Sequence, residues 1–287
     1  MDRKDQLEGE NTDQRRRIGA VELAGGAAVV VGGLLAARAV ATRRGPSADG
    51  AYRPLDTPKP VADGVWIVDS GPLKPAGVPV PLRMTVLKLA NGDLVLHSPT
   101  RHSARLAREL EAIGRVAHLI APNSAHWMFV RDWQAAYPGA ITWTAPGLRE
   151  RGQVRRSGVR FDHDLGDEAP EAWAGEMRQG IVPGGLGFRE AWLLHEASRT
   201  LVLTDLVENL ELDRMPRFAR PLVRLSGAAD ARPARHLRAV LRLGGRETKD
   251  ALRRLLDLDP DRVIFSHGRP FEERAAERLR RAFKPLL

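Results

Sequence analysis

Three short apolar runs in this chain stop on, or just before, side chains of the kind that bind metal ions. VAHLIAPNSAHW, starting at Val116, reads as a buried strand ended by Pro122 and Asn123, with His126 following in the next turn. LVLTDL, Leu201 to Leu206, carries Asp205 near its end, and RVIFSHG, Arg262 to Gly268, delivers His267. Strand patterns that alternate with helical ones predict an α/β chain. In open α/β sheets, ligands collect at the carboxyl ends of the strands. Three strands are therefore expected to deliver polar side chains at their carboxyl tips: His126 just beyond one, Asp205 on another and His267 on a third.

Around these runs the chain alternates regularly. RMTVLKLANGDLVLHSPT, Arg83 to Thr100, has two strand patterns flanking Asn91-Gly92, a strong hairpin signal. RHSARLARELEAIG, Arg101 to Gly114, has helical periodicity and a glycine cap. Ser124 is the expected N-cap of a helix carrying His126, Phe129, Val130 and Trp133. AITWTAPG, from Ala140, predicts another strand, and Glu247 to Pro270 predicts helix, turn and strand. A last helix should run to about Phe283.

With 287 residues, 43% of them apolar, the chain can bury one large core. It contains no cysteine, which excludes disulfides, thiolate metal sites and a Cys nucleophile. Any metal must be held by His, Asp, Glu or Asn, and eight histidines are present. The net charge of +9 is interleaved with acidic residues, so it predicts a solvated basic surface and no nucleic-acid partner. MPRFARPLVRLSGAADARPARHLRAVLRLGG, Met215 to Gly245, combines arginines with apolar residues. Such a stretch suits an anionic membrane surface, a cap over a cleft, or a packed amphipathic helix.

The amino-terminal region divides by composition. Residues 1–17 form a polar, basic tail, and 18–42 an Ala/Gly-rich apolar segment uncharged from Leu23 to Ala37. Its length predicts a single transmembrane helix anchoring the protein at a membrane. A cleaved signal ending at Ala39 to Ala41, giving a secreted protein, is the competing reading. Residues 43–60 read as a Pro/Gly-rich linker, and 61–287 as the folded domain, with a helical insert at about 210–257.

The order of these elements resembles the metallo-β-lactamase fold, an αββα four-layer sandwich whose metal ligands lie on loops along one edge of its two sheets. VAHLIAPNSAHW resembles the run leading into that superfamily's HxHxDH metal motif. VPGGLGFREAWLLHEASRTLVLTDL, from Val182, resembles the passage from its next histidine to its bridging aspartate, and VIFSHGRP the strand with its last histidine. APNSAHW, AYPGA, APGL, SRTLVLTDL and DRVIFSHG together are similar to one branch, domain-of-unknown-function family 4336, which carries no assigned activity. The likeness covers about residues 62–275.

Laying the motif on this chain puts Ala121, Asn123 and Gly185 where three histidines stand, and Ala125 at the aspartate. The resemblance then leaves His126, Asp205 and His267, a legitimate set for one Zn²⁺ or Fe²⁺ ion with a position open to water. Asn123, His97 and His195 are expected to line the site. Two functions follow. One is a membrane-tethered, mononuclear metal-dependent hydrolase of a small ester, lactone or phosphodiester. The other is a metal-free binding or scaffold protein in which the same residues form a hydrogen-bonded cluster.

Overall fold

The computed structural model describes residues 48–287. The tail at 1–17 and the apolar segment at 18–42, with the expected anchor or signal, lie outside the described residues. Among the described residues no helix is long and apolar enough to cross a membrane.

Strands β1 (Lys59–Ala62), β2 (Val65–Leu73), β3 (Val80–Lys88) and β4 (Asp93–His97) form an antiparallel meander. The Asn91-Gly92 turn joins β3 to β4, with Gly92 at φ +88°, where a side chain would be strained. Helix α1 (Ala104–Glu111) then crosses over to β5 (Arg115–Ala121), which pairs parallel with β4. The Ser103 hydroxyl caps α1 by accepting the Leu106 N–H. Helix α2 (Val130–Ala136) leads to β6 (Ile141–Thr144), and α3 (Gly152–Ser157) to β7 (His163–Asp164), completing a seven-stranded sheet in chain order.

The second sheet contains β8 (Met177–Pro183), β9 (Arg189–His195), β10 (Thr200–Val202) and a late strand that enters parallel to β10. Between β10 and that strand lie β11 (Glu208–Asn209) and helices α4 (Arg220–Ser226), α5 (Arg235–Leu243) and α6 (Gly245–Leu256). The late strand is β12 (Arg262–Ile264); β13 (His267–Gly268) and α7 (Ala275–Phe283) follow it.

Side chains alternate across both sheets and make three apolar layers. Leu94 and Leu96 of β4 pack with Leu106, Leu110, Val130 and Trp133 of the helices outside the first sheet. Val95, on the other face, meets Ala191, Leu193, Val202 and Ile264 of the second sheet. Trp192 and Leu194 pack outward on Leu237, Leu241, Leu252, Leu255 and Phe283 of α5 to α7. Helices thus cover both outer faces of two stacked sheets, and the tips of β4, β5, β10 and β12 meet at one edge.

Residues 48–60, read from composition as a linker, lie against the domain instead. The Gly50 N–H donates to Arg214 O, the Asp56 N–H to Asp69 O, and Ala51 is buried. Tyr52 accounts for this, because its ring is held between the guanidinium groups of Arg83 and Arg214.

Candidate metal centre

Three ligand atoms converge at that edge. His126 Nε2 lies 3.2 Å from Asp205 Oδ1 and 3.2 Å from His267 Nε2, and His267 Nε2 lies 3.1 Å from the same Asp205 oxygen. Neighbouring ligand atoms around a tetrahedral zinc ion lie roughly 3.3 Å apart, as follows from bond lengths of about 2.0–2.1 Å. The three atoms therefore already stand close to one face of a ligand tetrahedron. His126, Asp205 and His267 are the one such group among the described residues.

The proton positions sharpen this. Pro81 O, a carbonyl that can only accept, sits 2.8 Å from His267 Nδ1, so Nδ1 carries the proton and Nε2 of the neutral ring presents a lone pair. His126 Nδ1 shares a 2.7 Å hydrogen bond with Ser98 Oγ. With Nδ1–H donating there, two imidazole lone pairs and a carboxylate oxygen point at one spot. A metal ion or a proton relieves that repulsion, as does the other His126 tautomer, in which the Ser98 hydroxyl donates to Nδ1 and Nε2–H donates to Asp205. Burial opposes protonation of His267, but its hydrogen bond to Asp205 and the charges of Asp205 and Glu208 prevail and raise it to about 9. Burial would likewise raise Asp205, yet His126 and His267 hold it well below the usual carboxylate range.

Local structure fixes each ligand. No helix starts at Ser124; α2 begins only at Val130. His126 instead sits in a turn tied by Asn123, whose Oδ1 accepts the N–H groups of Ala125 (2.9 Å) and His126 (3.1 Å). Asn123 Nδ2 then donates to Asp205 Oδ2 (2.8 Å) and to Glu190 Oε2 (3.1 Å). Glu190 is fully buried and accepts the N–H groups of Thr204, Asp205 and Leu206 at 2.7, 2.9 and 3.2 Å. Burial and then the Asp205 charge push its carboxyl up to about 8, against the pull of those donors.

His267 is held from two sides. Gly268, at φ +99°, packs so closely on Asn209 that a Cβ would lie 2.0 Å from its carbonyl oxygen, so only glycine lets β11 pair with β13 here. Arg83 Nη1 donates to Phe265 O (3.1 Å) and Gly268 O (2.6 Å), bracketing the histidine, while Arg83 itself pairs with Asp69 in the protein interior. None of Ser98, Glu190, Arg83 and Asp69 stood out in the sequence as a site residue. The available signal was charge inside otherwise apolar strands: Arg83 and Asp69 in β3 and β2, Glu190 opening β9.

The positions without ligands are closed. Ala121 is buried in the apolar layer under α1 and α2. At Gly185 a Cβ would lie 2.4 Å from the Cβ of Leu243 in α5, leaving no space for an imidazole. Asn123 braces Asp205, as described.

One expected lining residue lies elsewhere. His195 is at the far end of β9 from Glu190, bonded through Nδ1 to Ser198 Oγ at 2.7 Å and packed by Gly64. A seven-residue strand separates its ends by roughly 20 Å, which removes His195 from the site. His97 faces into the space between the sheets behind His126; burial, with the His126 charge adding to it, lowers its pKa to about 3. It is a buried, neutral residue of the wall behind the site.

Two stacked sheets covered by helices, with a His/Asp/His corner at their edge, define a metallo-β-lactamase fold. Solved structures agree in backbone. The DIM-1 metallo-β-lactamase matches with a TM-score of 0.55 at 14% identity, covering 80% of this chain and 97% of its own. The metallo-β-lactamase of Hirschia baltica gives 0.52 at 13%, covering 78% and 94%. FIM-1 of Pseudomonas aeruginosa, in its mono-zinc form, gives 0.51 at 13%, covering 80% and 95%. Within this fold the chain belongs to the family described as Domain of unknown function (DUF4336), whose model matches residues 63–234. No curated protein sequence matches it.

Proposed function

We propose that this protein is a mononuclear metal-dependent hydrolase, with His126, Asp205 and His267 holding one Zn²⁺ or Fe²⁺ ion. The observation that supports this most is the triangle of ligand atoms with edges of 3.1–3.2 Å, backed by a His267 tautomer that turns Nε2 inward. FIM-1 is described in a mono-zinc form, so a related fold accommodates a single ion. Bound there, the ion supplies Lewis acidity and a water of lowered pKa.

The chain's own residues would orient and shuttle. Ser98 and Pro81 aim the two imidazoles, and Asn123 with Glu190 holds Asp205. Ala125 replaces the aspartate of the superfamily motif, so another group must take a proton. Burial pushes Glu208, which pairs with His267 across β11 and β13, up to about 7, suited to that role near neutral pH. An open cavity of about 500 Å³ on the same edge, between the tip of β6 and the start of β9, is lined by Pro146, Gly147, Glu150, Arg151, Gly187 and Arg189. Its two guanidinium groups outnumber the single carboxylate of Glu150, which favours an anionic substrate and ranks a phosphodiester ahead of a neutral ester or lactone.

The uncharged run Leu23 to Ala37 supports a tethered form of this enzyme, with the catalytic domain held at a membrane. A metal-free binding protein is the second reading. It is favoured by the raised His267 pKa, since a proton shared with Asp205 also satisfies the corner.

The test is a panel of esters, lactones and phosphodiesters offered to metal-loaded, full-length protein. The expected result is phosphodiester turnover that a chelator or His126→Ala abolishes, and that Arg189→Ala weakens through KM. Loaded protein that turns over no member of the panel contradicts the hydrolase reading.

A further inference from the structure

Helix α4 and the turn that leads into it are apolar on two sides. Met215, Ala219 and Val223 are buried against the domain, with Met215 and Val223 in one cluster with Leu210 and Ala228. The outward face is apolar as well: Phe218 is 58% exposed and Leu225 65% exposed, with exposed Pro221 between them. Pro221 and Leu225 lie four apart on the helix, and Phe218 stands in the turn just before it. An apolar stripe turned to solvent next to a satisfied buried face is not explained by core packing.

The stripe runs through a field of arginines. Arg217 and Arg224 each precede one of its apolar residues, Phe218 and Leu225, and are exposed, while Arg220 is held to Met215 O and Asp213 O. Gly227, which caps α4, lies against Arg235 and Arg238 of α5, so the two helices share this surface. Burial, and then the charges of Arg232, Arg235 and Arg242, lower the Arg238 pKa against the pull of Asp230. Among the described residues, Arg217, Arg220, Arg224, Arg235, Arg238 and Arg242 make no ion pair with a carboxylate, whereas Arg214, Arg232 and Arg246 do. Elsewhere on the surface most arginines are paired, as on α7.

We propose that the outer face of α4, with the adjoining arginines of α5, docks the protein on an anionic lipid surface. Phe218 and Leu225 would enter the boundary between headgroups and acyl chains, while the arginines keep their heads among lipid phosphates. Nucleic acid fits less well, because Phe218 is the single aromatic of this surface and single strands need several stacking rings. A stable protein interface fits less well too: it buries about 800 Å² per partner, and three residues between arginines offer far less apolar area. Docking through this face is independent of the hydrolase reading and of any amino-terminal anchor.

The chain has no cysteine, so Leu225→Cys gives a unique attachment point for a polarity-sensitive fluorophore on full-length protein. Arg108→Cys, on the exposed side of α1, is the reference position. Vesicles of phosphatidylcholine with about one-third phosphatidylglycerol should blue-shift the label at 225 and leave that at 108 unchanged. About 0.5 M salt should reverse the shift, since charge attraction decays within a Debye length. Arg217→Glu with Arg224→Glu should lower vesicle affinity about 25-fold or more, at about fivefold or more per arginine. The proposal is overturned by an absent shift, by one equal at both positions, by one equal on pure phosphatidylcholine, or by a larger one on duplex RNA.

Discussion

Behind His126, Asp205 and His267 each ligand rests on a fixed partner: Ser98, Asn123 and Pro81 respectively. At Ala121, Asn123 and Gly185, where the superfamily motif has histidines, the edge is filled differently. Ala121 belongs to the core, Leu243 closes the space at Gly185, and Asn123 has its amide turned toward Asp205. The comparison teaches that the second corner was not merely stripped. One of its positions now supports the first, since the Asn123 amide holds the Asp205 carboxylate in place.

The widest gap between the corners should appear on removing Glu190. Glu190→Ala leaves three buried N–H groups without their acceptor and the Asn123 amide with Asp205 alone, and should cost about 3–5 kcal/mol of stability in denaturant unfolding. A loss below about 1 kcal/mol would mean that water replaces the carboxylate and that the brace is dispensable.

His97, in the wall behind the retained corner, gives a smaller effect with a definite sign. Its folded pKa, about 3, lies below its ordinary 6.5, so the unfolded chain binds the extra proton. Its contribution is intact above pH 6.5 and is lost as pH falls from there toward 3. Between about pH 6.5 and 5 the native protein should lose roughly 2 kcal/mol that His97→Leu does not lose. Parallel pH–stability curves for the two proteins would place His97 in contact with water.

Smallest is the contact that aims His126. Ser98→Ala removes the partner of Nδ1 and should weaken metal binding by about tenfold, roughly 1.4 kcal/mol, with unfolding nearly unchanged. An unaltered affinity would show that the Asn123 turn alone positions the ring.

What was legible in the chain divides along the same line. The strands announce themselves because apolar runs of fixed length end at Pro122, Asp205 and His267, and parallel strands bring such tips to one edge. The supports were hidden because their partners are remote in sequence: Arg83 reaches Phe265 and Gly268, and Glu190 reaches Asn123 and Thr204. Ser98 owes its position to a left-handed backbone, φ +56°, that no local pattern around HSPT marks. His195 misled because a strand's composition does not say which of its ends faces the site; Glu190, near the start of β9, reaches Asp205, while His195 closes the strand at its other end. The segment at 48–60 misled because Pro and Gly look like a linker even where Tyr52 pins them to the domain.

Metal titration of the apo protein by calorimetry bears most directly on a centre built for one ion. Zn²⁺ and Fe²⁺ should each bind native protein at one per chain, more tightly than about 10 μM, with proton release as the metal displaces the proton of His267, whose pKa is about 9. His126→Ala and His267→Ala should each abolish the heat, and Gly185→His, blocked by Leu243, should not raise the stoichiometry. Two ions per chain, or none held more tightly than about 10 μM, would contradict it.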